Sequence, residues 1–233
     1  MKKFTIAALM LATGNINSAA ASTEGFYLGA EFGATQLKIA KTPINEHANS
    51  YGLYMGYQFT NWFALEGKIS KTADYNINED YNINENVYIN IYEDGSLDTI
   101  STNKKTKHSA TSVNLTPKFN WQLNDTLSVF AKAGISYTKM TVNTHTTLTD
   151  SYYYYDNDTL YYMSNSSVSD SYDGWGYILG AGMDVSINTH LTLRLGYDYT
   201  KVDLENNHVY SDYDEGKLDT TLSQFSLGLH YTF

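Results

Sequence analysis

The last thirteen residues, 221–233, alternate without interruption. Phe225, Leu227, Leu229, Tyr231 and Phe233 share one parity, and Gln224, Ser226, Gly228, His230 and Thr232 share the other. A period of two sets these groups on opposite faces of a strand. One face is apolar and ends on an aromatic; the other is small and polar. The strand that closes a membrane β-barrel needs this arrangement, but the edge of a soluble sandwich could also show it. The rest of the chain has to decide between them.

Seven further segments alternate in the same way, and their connections are alternately short and long. In the first, residues 25–38, Phe26, Leu28, Ala30 and Phe32 oppose Tyr27, Gly29, Glu31 and Gly33. The second, residues 50–59, sets Tyr51, Leu53, Met55, Tyr57 and Phe59 against Gly52, Tyr54, Gly56 and Gln58. After Thr60-Asn61 the third sets Phe63, Leu65, Gly67 and Ile69 against Ala64, Glu66 and Lys68. The fourth carries Val113, Leu115, Phe119 and Trp121 outward, and a turn at Asn124-Asp125 leads to the fifth, with Leu127, Val129, Ala131, Ala133, Ile135 and Tyr137 outward and Ser128, Lys132, Gly134 and Ser136 inward. The sixth, residues 175–187, ends at Asn188-Thr189. The seventh opposes Leu193, Leu195, Tyr197 and Tyr199 to Thr192, Arg194, Gly196 and Asp198. Runs of this length suffice for tilted transmembrane strands of about 9–11 residues. The expectation is an all-β fold, an eight-stranded antiparallel up-and-down transmembrane β-barrel. An even strand count places both termini in the periplasm, with three short turns beside them and four longer loops outside.

The inner parity carries Glu31, Glu66, Lys68, Lys118, Lys132, Asp184, Arg194 and Asp198. A charge facing lipid near the midplane costs about 2–4 kcal/mol, so these groups are expected in the lumen. Eight strands leave an interior that side chains can fill. Four acids against four bases therefore predict a plugged, ion-paired core; an ion pathway along the same residues is the alternative. An unpaired buried charge is costly, whereas a satisfied network is tolerable.

The N-terminus predicts export. Lys2 and Lys3 precede an apolar run at residues 4–12, and Ala19-Ala20-Ala21 offers a cleavage site after Ala20 or Ala21. Residues 1–21 are thus expected to be a removed signal peptide and 22–233 the barrel. The run is about half the ~20 residues of a spanning helix. There is no cysteine, which excludes disulfide and thiol chemistry. The 25 acidic residues outnumber the 15 basic ones, which argues against nucleic acid as a partner. Mean hydropathy is negative, as a barrel permits because only alternate residues meet lipid.

Several pieces of the chain resemble the OmpA-type transmembrane barrel and its small stand-alone relatives of the OmpX kind. They are Gly56-Tyr57-Gln58, Phe63-Ala64-Leu65-Glu66, Thr116-Pro117-Lys118, Gly180-Ala181-Gly182-Met183-Asp184, Arg194-Leu195-Gly196-Tyr197 and the closing 227–233. The resemblance implies the outer membrane of a Gram-negative bacterium. Its surroundings there are outer-membrane lipid and lipopolysaccharide, with insertion by periplasmic chaperones and the barrel-assembly machinery. It also implies interior ion pairs, Glu66 with Arg194 and Asp184 with Lys118. Lys68 departs from that pattern by adding an inner charge. The periplasmic peptidoglycan-binding domain of OmpA proper has no counterpart before the chain ends at Phe233, so no tether to the cell wall is expected.

Long outer loops are expected at about 75–106, 144–173 and 204–219. In the first, Tyr75-Asn76-Ile77-Asn78-Glu79-Asp80 is nearly repeated by residues 81–86, and alternation continues to a hairpin-type turn at Glu93-Asp94-Gly95. That predicts the third and fourth strands to extend beyond the membrane. Residues 152–162, with a turn near Asp156-Asn157-Asp158, repeat the idea and suggest a protruding sheet with an open edge. Such loops are either solvated, variable surface or a recognition surface for a host or surface ligand, where Tyr, Ser and Asn supply adaptable contacts. The acidic clusters (Asp94 with Asp98; Asp212, Asp214 and Glu215) lack a regular calcium-loop spacing, and neither metal nor cofactor is expected. His108 with Ser109, His145 and His208 lie toward the outer side, where a lipid-directed enzyme would place its groups, but no catalytic motif occurs. The function expected is a structural or surface-interaction role, including adhesion, and not catalysis. A narrow channel and a lipid-modifying enzyme are the alternatives.

Overall fold

In the computed structural model the described residues are 24–40, 42, 44–77, 90–91, 97–153, 159–206 and 217–233. The expected signal peptide lies outside them. The strands are β1 (Gly25–Ile39), β2 (Asn45–Thr60), β3 (Phe63–Thr72), β4 (Tyr75–Ile77), β5 (Asn90–Ile91), β6 (Leu97–Gln122), β7 (Leu127–Tyr153), β8 (Thr159–Ser186), β9 (Leu191–Asn206) and β10 (Lys217–Thr232). They pair antiparallel in the order β3-β2-β1-β10-β9-β8-β7-β6, and β6 pairs back onto β3, so eight strands close a ring. The short β4 and β5 lie along the far end of β6. This is the barrel that the alternation predicts. Closure runs from Tyr27↔Thr232 to Ile39↔Thr220, and the Phe233 N–H donates to the Phe26 carbonyl at 3.0 Å.

One end of the ring has short turns because Asn side chains fold them. Asn124 Oδ1 accepts the N–H of Thr126 and Leu127 at 2.9 and 2.8 Å, and Asn188 Oδ1 accepts those of His190 and Leu191 at 2.9 and 2.8 Å. Both are Asx turns, in which the side chain replaces a backbone acceptor.

The other end differs from the expectation. β2 begins at Asn45, earlier than residue 50, and residues 45–49 pair with Ala34–Lys38 of β1. Of the expected extension of the third and fourth strands, the fourth is seen in full as β6; on the third side β3 stops at Thr72, Tyr75–Ile77 and Asn90–Ile91 pair with β6 further out, and residues 78–89 lie outside the described residues. The long strands β6, β7 and β8 keep one register from the barrel out to Leu97↔Tyr153 and Tyr153↔Thr159. Most of residues 144–173 are therefore ladder-paired strand, which satisfies backbone groups that a free loop would leave to water.

The two faces exchange character along each strand. In the membrane-facing part the outward residues are apolar; Phe32, Leu53, Ile69, Val113, Ile135 and Phe225 are all more than half exposed. Aromatics border this band. Phe26 meets Phe233 at 5.7 Å and Trp62 stacks on Phe119 at 6.1 Å toward the short turns, while Tyr137 meets Trp175 at 5.1 Å at the opposite border. Aromatic belts sit where a membrane meets water. Beyond that border the outward residues become Lys38, Lys71, Thr111, Lys139 and Lys201, and the inward residues become apolar. Leu37, Ile39, Tyr75, Ala110, Met140, Val202, Leu204 and Leu222 form one buried cluster inside the ring. Once water replaces lipid outside, the ordinary rule of soluble barrels returns, and apolar side chains fill the inside.

Candidate functional site

The eight inner charges form one continuous chain of alternating sign through the barrel centre. Glu31 Oε1 lies 2.6 Å from Lys68 Nζ, which lies 2.7 Å from Asp198. Lys132 joins Asp198 at 3.2 Å to Glu66 at 3.3 Å. Arg194 holds Glu66 through one Nη at 2.6 Å and Asp184 through Nε at 2.8 Å, and Asp184 ends on Lys118 at 2.6 Å. Every interior member touches two opposite charges. At the ends, Gln224 Nε2 donates to Glu31 at 3.0 Å, and Lys118 Nζ lies 4.5 Å from the Phe130 ring. Lys68 is the link between Glu31 and the rest.

The strand alternation places these groups, and glycines make room for them. A Cβ at Gly56 would collide with the Tyr27 ring, whose hydroxyl donates to Glu66 at 3.0 Å. A Cβ at Gly180 would collide with Asp198 and Lys132. Arg194 lies against the Tyr54 ring at 4.5 Å and Phe130 at 5.0 Å, so its planar faces and its N–H fork are both occupied. Phe130 is missing from the sequence reading of the fifth strand's inner face, although it shares the parity of Ser128 and Lys132.

Little space remains. A polar vestibule of about 60 Å³ opens at the short-turn end, lined by Tyr27, Asn120, Asp184 and His230 among others. Above the charges, a space of about 20 Å³ among Thr35, Ser50, Ser112, Asn114 and Gln224 has room for about one water. The apolar cluster then closes the far end. Leu37 and Leu204 are fully buried in it, and Ile44, Ala48, Val142, Tyr172 and Leu218 pack against it. Charge chain and apolar cap occlude the lumen in succession.

Of the outer candidates, His108 is buried inside the ring and Ser109 has the opposite parity, so the two do not converge. Burial pushes the His108 imidazole below its ordinary pKa, and its Nδ1 has no hydrogen-bond partner. His145 Nδ1 meets Ser167 Oγ at 2.8 Å across β7 and β8 on the exposed sheet. His208 and the side chains of Asp94, Asp98, Asp212, Asp214 and Glu215 lie outside the described residues. Among the described residues no group of three His, Asp or Glu is placed to hold a metal ion.

Three bacterial proteins are among the solved structures similar to this chain. Ail, the attachment invasion locus protein of Yersinia pestis, is 16% identical over 91% of this chain and 100% of its own, with a TM-score of 0.45. The Neisserial surface protein A is 14% identical over 90% and 97%, with a TM-score of 0.47. OprG of Pseudomonas aeruginosa is 13% identical over 92% and 99%, with a TM-score of 0.48. No curated protein matches the sequence. The model of the outer membrane protein beta-barrel domain matches residues 4–233, and the chain belongs to that family.

Proposed function

We propose that the protein is a closed, non-conducting anchor in the Gram-negative outer membrane, with both termini in the periplasm, and that it presents the β6–β7–β8 sheet outside the cell for surface interaction, adhesion being the specific role. The length of that sheet carries the reading. Leu97 lies sixteen residues beyond Val113, the last lipid-facing residue of β6, which is about 50 Å along the strand. A barrel that only filled membrane would need none of this. Residues 164–169 of β8 are exposed, rich in Ser and Asn, and paired on one side only, to β7, among the described residues. Ser, Asn and Tyr are the residues that give paratopes adaptable contacts, and an unpaired sheet edge can accept another strand. Short turns at the opposite end suit the periplasmic side.

Cells displaying the intact barrel should adhere to host cells or matrix proteins more than cells displaying a barrel with β6–β8 shortened to tight turns near residues 109, 141 and 171, at matched surface levels. Equal adherence would refute the adhesive role. The refolded protein should add no steps of conductance to a planar bilayer; steps abolished by Arg194→Met would instead establish the channel.

A further inference from the structure

We infer that the space above the charge chain is a binding site for a single water molecule, held by Thr35 Oγ1, Ser50 Oγ and Asn114 Oδ1 and released only through the apolar cap. The three oxygens come from β1, β2 and β6, and their residues line the same space of about 20 Å³. These residues are 3%, 1% and 4% exposed, and among the described residues none of the three oxygens has a hydrogen-bond partner. Neighbouring polar groups are already used. Ser112 Oγ meets Thr138 Oγ1 at 2.9 Å, and Thr72 Oγ1 accepts the Ala110 N–H at 2.8 Å. Gln224 donates to Glu31 at 3.0 Å and accepts from Lys68 at 3.2 Å. A buried oxygen left without a partner is costly, and a buried water makes about three hydrogen bonds to such groups.

The donors and acceptors select water over an ion. Asn114 Oδ1 can only accept, whereas the Thr35 and Ser50 hydroxyls can donate or accept. A water donates to Asn114 and to one hydroxyl and accepts from the other, which satisfies all three. An anion cannot donate to Asn114. A cation would add charge beside Lys68, which pairs with Asn114 in the register and donates to Gln224 in the wall of the space. The eight lumen charges already balance, so that cation would stand uncompensated in a buried site. The size agrees, since one water needs about 10–15 Å³. The charge chain closes the space on one side. On the other side it is lined by Ala110 and Leu222, members of the apolar cap. Escape past the charge chain would separate the Lys68 ion pairs of 2.6 and 2.7 Å, whereas escape through the cap separates only apolar contacts. The water therefore exchanges when the cap opens.

The test of identity is a crystal structure of the refolded barrel grown in rubidium bromide. The expected result is a peak about 2.5–3.0 Å from all three oxygens, with no anomalous signal from rubidium or bromine. Rubidium or bromide density at the site, or no peak there, overturns the assignment. The test of exchange is oxygen-17 relaxation dispersion of water, with native and variant barrels in detergent. Asn114→Leu removes the acceptor and should lose one slowly exchanging water from the native count; an unchanged count overturns the site. Thr35→Val keeps the shape and removes one partner, so it should shorten the residence time and decides the matter even where Asn114→Leu does not refold; an unchanged residence time overturns the site. Leu204→Ala loosens the cap and should speed exchange about 30-fold or more, the rate equivalent of the low end, about 2 kcal/mol, for an emptied leucine site. Exchange unaltered by Leu204→Ala overturns the exit through the cap.

Discussion

Glu66 is the middle of the charge chain, and its neutralisation to Gln tests whether the chain works as a unit. The native carboxylate takes Arg194 at 2.6 Å, Lys132 at 3.3 Å and the Tyr27 hydroxyl at 3.0 Å, with no exposure to solvent. Glu66→Gln keeps the volume but divides the chain into two pieces and leaves one uncompensated positive charge in the lumen. Removing one partner of a buried pair costs about 3–5 kcal/mol, and we expect that range. Glu31→Gln removes only a terminal link: Lys68 keeps Asp198 at 2.7 Å and Gln224 at 3.2 Å. Its cost should be that of a charge-assisted hydrogen bond, about 1.5–3 kcal/mol. Arg194→Gln combined with Glu66→Gln should cost less than the two singly, by about 1–3 kcal/mol. The assay is equilibrium urea unfolding of the barrel refolded into lipid vesicles, read by tryptophan fluorescence. A cost for Glu31→Gln equal to that for Glu66→Gln, or a coupling within about 0.5 kcal/mol of zero, would refute a connected network.

Leu204→Ala in the apolar cap should destabilise by about 2–5 kcal/mol in the same assay, because its side chain is fully buried and leaves a cavity; no loss would mean the cap is not packed in the membrane-bound protein. Leu229→Arg on the lipid face should cost about 2–4 kcal/mol, and an unchanged urea midpoint would place that face in water. His108 lies beyond the aromatic border, and burial lowers its pKa in the folded state. The unfolded chain therefore binds the extra proton first, so stability is full above the ordinary imidazole value of about 6.5 and declines as pH falls below it. Hydrogen exchange of residues 108–111 should speed up between pH 7 and pH 5 relative to His108→Leu; a pH response identical in both proteins would exclude the imidazole.

The barrel was legible because one local rule repeats. Each membrane segment has apolar residues at one parity, and the Asn-led turns mark where strands reverse. Which charges meet was a different matter. Glu66 and Arg194 are 128 residues apart in sequence, so no spacing brings them together; resemblance alone suggests the pair, and the structure places them 2.6 Å apart. The remaining links, such as Lys132 between Asp198 and Glu66, depend on the stagger of strands around the ring, which a pattern within one strand does not encode. Phe130 was missed although its parity was visible, because an aromatic was not looked for among lumen charges. The extension was assigned to the third and fourth strands together; the fourth carries it as β6, and on the third side Tyr75–Ile77 and Asn90–Ile91 also find β6 as their neighbour. Alternation says that a segment can pair, but not which neighbour it finds.

The apolar cap was not predicted, although the sequence carries a sign of it. At Leu37 and Ile39, at Met140, and at Val202 and Leu204, the apolar residues move to the parity that had carried Gly, Ser and charge. Read as a failing strand, this looks like the start of a loop. Read as a change of solvent, it marks the membrane surface on each strand separately, and those marks agree around the ring. Lysines stand on the outward parity just beyond the change, at Lys38, Lys71, Lys139 and Lys201, whereas the short turns at 61–62, 123–126 and 187–190 contain no lysine or arginine. The lysines therefore mark the same border of the lipid-facing band that the change of parity marks, and the position of these charges, not their number, distinguishes the two ends of the barrel.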